Sequence, residues 1–137
     1  MALDIPSGWR IEVMPGRGGE QGRTFSSTRT IELYVRDSLS DSVLAYALEH
    51  EAAHSWDFTT LTRTQREQWA DARGYPEKVD QWYGGGGNVS DDRDLPAGDF
   101  AEAAAACVRG PAHHRSGLGG PPTADQCQLV LSMVGLR

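Results

Sequence analysis

The sequence predicts an α+β fold: a small sheet packed on one central helix, with two or three further helices around it. Three observations point there. Two segments near the N-terminus alternate apolar and polar residues, as half-buried strands do. Several later segments carry helix start and stop signals. One of these also places His50 and His54 a single turn apart on a largely apolar stripe. A chain of 137 residues is the size of one domain with a single modest core, so residues 1–137 are expected to form one unit.

Trp9-Arg10-Ile11-Glu12-Val13 alternates and is the first expected strand, broken by Pro15-Gly16-Arg17-Gly18-Gly19. Thr30-Ile31-Glu32-Leu33-Tyr34-Val35 alternates again, and the two are expected to pair as a hairpin or as neighbours. Ser40, Asp41 and Ser42 offer N-caps to the next helix, where Val43, Ala47, His50 and His54 share a stripe flanked by Leu44, Leu48 and Ala52. Thr62 and Gln65 form a capping box for a helix through Arg73, and Gly74 supplies its stop. Residues 74–98 are irregular. Trp82 and Tyr83 are expected there as cleft-lining or packing aromatics, and the acidic run Asp91, Asp92, Asp94 is either a solvated loop or a calcium site. Asp94 is the expected N-cap of an alanine-rich helix over Ala97 to Val108, stopped by Gly110-Pro111. Thr123 and Gln126 form a second capping box before the last helix.

The formal charge of −6, with both signs interspersed, argues against nucleic acid as a partner. No apolar run approaches the ~20 residues of a membrane span. Met1-Ala2-Leu3-Asp4-Ile5-Pro6 lacks the basic and apolar regions of a signal peptide. Cys107 and Cys127 lie in two expected helices and can staple them; a disulfide would favour a secreted or extracytoplasmic setting. The chain is expected to be a monomer.

His50 and His54, at i and i+4, can offer two imidazoles to one Zn2+ ion. Glu51 is offset by one position, where its carboxylate can take a proton from water activated by the metal. Ordinary hydrogen bonds to backbone are the bland alternative for two inward-facing histidines. A catalytic zinc takes a third protein ligand. The best source is Gly98-Asp99-Phe100-Ala101-Glu102, where Asp99 and Glu102 share a helix face, so one can bind metal while the other orients a ligating histidine. His113 or His114 is a further candidate, as third ligand or as a donor to a developing oxyanion.

With those two motifs, His50-Glu51-Ala52-Ala53-His54-Ser55-Trp56-Asp57 and Asp99-Phe100-Ala101-Glu102-Ala103, the chain resembles the zincin metallopeptidases. It is most similar to their gluzincin-like branch and to small actinobacterial-type proteins with a His-Glu-x-x-His helix followed by an Asp-Phe-Ala-Glu helix. The resemblance spans residues 30–107 and implies a minimal zincin-like domain. It implies zinc on His50 and His54, Glu51 as general base, and hydrolysis of peptide bonds in a peptide or protein substrate. The gluzincin pattern sets a metal-binding glutamate four residues before a second acidic residue. If Glu102 is the second, the ligand position falls on Gly98, which has no side chain. Asp99 is then the first choice of substitute and Glu102 the second. Such enzymes also hold a Tyr or His near the oxyanion, and Tyr83 is the candidate. The alternative function is a catalytically weak or silent zincin-like module for binding metal or a partner.

Overall fold

The computed structural model describes residues 1–84 and 92–137. Its architecture is α+β, with a three-stranded sheet and four α-helices among the described residues. The strands are β1 (Arg10–Pro15), β2 (Gly22–Phe25) and β3 (Thr30–Val35). The helices are α1 (Asp41–Thr60), α2 (Arg63–Arg73), α3 (Pro96–Arg109) and α4 (Ala124–Ser132).

The two expected strands are neighbours, but they run parallel, with Ile11 beside Ile31 and Val13 beside Leu33. A hairpin is ruled out because β2 lies between them in sequence and pairs antiparallel to the far side of β3. That leaves β2 as an edge strand. In its register Gly22 is opposite Leu33 and Thr24 opposite Ile31, so both share the sheet face that packs on α1.

Helix boundaries follow local chemistry. Ser40 caps α1 by accepting from the Val43 amide. Thr62 and Thr123 build the two expected capping boxes with Gln65 and Gln126, and Gly74 closes α2 in the left-handed region at φ 82°. At α3 the expectation fails: Leu95 occupies the N-cap position without a side-chain bond, and Pro96 begins the helix. The Asp94 carboxylate instead lies against Gly117, in a loop tied down by a 2.8 Å bond from the Gly117 amide to the Arg93 carbonyl.

The core sits among the helices. Trp69, Phe100, Val130 and the alanines Ala53, Ala70, Ala101, Ala103 and Ala104 are all fully buried. The small side chains of α3 let α1 come close along its length, and this is the most extensive helix–helix contact of the fold. Trp82 belongs to the core as well, packed on Phe100 and donating its indole N–H to Asp57 at 2.8 Å. A disulfide joins Cys107 of α3 to Cys127 of α4. No helix among the described residues is long and apolar enough to cross a membrane.

Candidate metal centre

α1 places His50 and His54 on the face it turns towards α3 and the short turn Asp92–Asp94, with both imidazoles buried. Their Nε2 atoms are 3.1 Å apart. The Oδ2 atom of Asp92 completes a triangle, 2.7 Å from His54 Nε2 and 3.2 Å from His50 Nε2. Tetrahedral zinc with bonds of 2.0–2.1 Å sets its ligands about 3.3 Å apart, so the three donors stand close to the separations a bound ion requires. Among the described residues, no other group of three His, Cys, Asp or Glu side chains converges in this way. The donor set, two imidazoles and a carboxylate, suits zinc.

The residues around the triangle differ from the sequence-based expectation. Glu102 lies behind His50, not beside the Nε2 atoms: its Oε1 is 3.1 Å from His50 Nδ1, within ion-pair distance but without hydrogen-bond alignment. Its other oxygen accepts from the Tyr46 hydroxyl at 2.6 Å and from the Arg115 amide at 2.9 Å. Glu102 is therefore placed to orient the His50 ring, as it would if that ring held a metal. The Nδ1 of His54 is buried with no hydrogen-bond partner among the described residues.

Asp99 is not brought to the histidines. It is fully buried, and its carboxylate is consumed by Arg73 Nη2 at 2.6 Å, Arg73 Nε at 2.9 Å, Tyr75 at 2.6 Å, Ser116 at 2.6 Å and the Trp69 indole at 3.2 Å. The α3 helix turns this carboxylate towards α2, where the Arg73 guanidinium compensates its charge. His113 is not in the donor group either: its Nε2 is 3.4 Å from Ser42 Oγ and its ring packs edge-on against Tyr46. His114 has a buried Nε2 without a hydrogen-bond partner among the described residues, and burial lowers its pKa.

In the sequence Asp92 stands in an acidic run that no helical spacing links to the histidines, and Asp91 of that run lies outside the described residues. The available signal was Gly98. A Cβ at Gly98 would overlap the backbone carbonyl of Asp92. The position without a side chain is therefore where the chain bearing the donor presses against α3.

Glu51 sits one residue from the donor face. The Thr24 hydroxyl on β2 donates to its Oε2 at 2.5 Å. Gly22 makes the same approach possible, because a Cβ there would stand 2.8 Å from the Glu51 Cγ. The edge strand β2 thus grips the carboxylate expected to act as base, and neither Gly22 nor Thr24 was singled out in the sequence.

Electrostatics favour a cation at the triangle. Burial alone would lower the His50 pKa, but its contacts with Asp92 and Glu102 and the charge of Glu51 outweigh it and raise it well above the ordinary imidazole value. Burial likewise pushes Asp92 and Glu102 up, yet contact with His50 leaves both below the usual carboxylate range. A proton on His50 is one way to answer these three carboxylates; a divalent ion is another.

The donors open into a cleft of about 580 Å³. Gly19 to Thr24 form one wall, and Asp92, Arg93 and Leu95 lie on the other. Val43 and Arg115 stand at one end, Phe58 and Tyr83 at the other. Tyr83 lines the cleft, but its hydroxyl accepts from Arg66 Nη2 at 2.9 Å and is not directed at the histidine pair. No family model, curated protein or solved structure matches this chain.

Proposed function

We propose that this protein is a zinc-dependent peptidase with His50, His54 and Asp92 as metal ligands and Glu51 as general base. The observation that carries this reading is the convergence of three donors at ligand spacing, open to a cleft, with a restrained carboxylate alongside. Zinc bound there would acidify water and polarise the scissile carbonyl. Glu51 takes the proton of the attacking water and passes it to the departing amine. Glu102 holds His50 through its Nδ1 side and is itself held by Tyr46 and Arg115. β2, an edge strand on the cleft wall, offers unpaired backbone groups to an extended peptide, which would bind as an added strand. The disulfide between α3 and α4 suits an oxidising, extracytoplasmic setting.

The alternative of a silent binding module rests on the side chain missing at Gly98 and on the compact size of the chain; a donor at Asp92 would answer the first of these. Glu51→Gln is expected to retain about one equivalent of zinc and lose peptide hydrolysis, measured by elemental analysis and a quenched-fluorescence peptide assay. Undiminished cleavage by that variant would refute the mechanism.

A further inference from the structure

Two large aromatic side chains stand exposed at one end of the cleft, Phe58 at 39% and Tyr83 at 46%. Neither belongs to the hydrophobic core, which includes Trp82 and Phe100. They are stacked on each other, with ring centroids 5.3 Å apart and planes 16° from parallel. Phe58 in turn stacks on the imidazole of His54, at 6.3 Å and 26°. The three rings form a continuous series leading from a candidate ligand out along the cleft.

The outer ring is held in place from below. Arg66 donates to the Tyr83 hydroxyl and lies over the Tyr83 ring at 5.3 Å. Arg66 is itself fixed by the fully buried Asp57, at 3.0 Å, which also receives the Trp82 indole N–H. An exposed ring anchored through an ion pair to a buried carboxylate loses little freedom when something packs on it, and such preorganisation favours binding.

Resting on the peptidase reading above, we infer that Phe58 and Tyr83 form a subsite for an aromatic or large apolar side chain of the substrate. Phe58 is four residues beyond His54, about 6 Å along the helix axis. An extended peptide advances about 3.3 Å per residue. The selected side chain therefore lies within about two residues of the scissile bond, towards the C-terminal end of α1. The planar face of an aromatic residue would extend the existing stack.

The test uses the full-length Glu51→Gln protein and a set of blocked pentapeptides that differ only by Phe or Ala at each position in turn. Fluorescence anisotropy should show one position where Phe binds at least tenfold more tightly than Ala. Phe58→Ala should collapse that ratio towards one, and so should Tyr83→Ala, whereas Tyr83→Phe should retain it. Thermal unfolding checks that each variant is folded. Equal binding of all peptides, or a Phe preference that survives Phe58→Ala, would overturn the inference. So would a dimer that dissociates on Phe58→Ala, because it would give the ledge to a second copy of the chain. If the wild type cleaves nothing while the Phe58-dependent preference persists, the peptidase reading fails and the subsite stands. If it cleaves without aromatic preference, the reverse holds.

Discussion

Asp92 and Asp99 stand seven residues apart, on either side of the entry to α3, and their environments are opposite. Asp99 is fully buried, and two nitrogens of Arg73, two hydroxyls and an indole satisfy its carboxylate. Asp92 is half-exposed and aims one oxygen at two imidazole nitrogens that face each other across 3.1 Å. The first is a closed network, complete without a ligand. The second is an open one, in which the donors outnumber the protons that can join them. A carboxylate is better judged by what compensates its charge than by the motif in which it sits.

The comparison breaks most forcefully at Asp99. Arg73 is 4% exposed, so Asp99→Ala would leave a buried guanidinium without its counter-charge. That should cost about 3–5 kcal/mol of folding stability, read as a lowered denaturant midpoint. Asp92→Ala should do the reverse: stability without metal changes little, while zinc affinity drops by more than the roughly 10–100-fold typical of changes behind a ligand. Competition with a chromogenic chelator would measure it. Similar responses from both variants would dissolve the distinction.

Gly98→Ala sharpens it next. The added methyl would meet the Asp92 carbonyl and push the donor away, although no donor atom is altered. Weakened zinc binding at nearly unchanged helicity is expected from chelator competition and circular dichroism. Glu102→Gln should cost about 10–100-fold in zinc affinity by loosening His50. The smallest effect is a pH dependence. Burial pushes the Asp99 carboxyl up, but Arg73, Ser116 and Tyr75 more than offset it, so its folded pKa is depressed. Its stabilisation is therefore full above the unfolded value of about 3.9 and is lost as pH falls through the folded value. In unfolding curves of metal-free protein, wild type should lose its stability advantage over Asp99→Asn only below about pH 4.

Much of this fold was legible because the signals are local. Alternation marked β1 and β3, and capping boxes fixed the starts of α2 and α4. β2 was not legible: its inward positions are Gly22 and Thr24, chosen for their approach to Glu51, so it lacks an apolar alternation. The parallel pairing of β1 and β3 depends on that unseen strand. At the site, His50, Glu51 and His54 follow from helical spacing alone. Asp92 does not, because its approach is set by packing against Gly98 across a chain separation that no periodicity encodes. Asp99 was misjudged for a related reason: its partners, Arg73, Tyr75 and Ser116, come from other segments.

The most direct test of Asp92 as the proposed third ligand is a crystal structure of the zinc-loaded protein with anomalous data at the zinc edge. The anomalous peak should lie about 2.0–2.2 Å from His50 Nε2, His54 Nε2 and an Asp92 oxygen, with Asp99 still on Arg73. A peak coordinated by Asp99 or Glu102 in place of Asp92, or no zinc between the two histidines, would contradict the account.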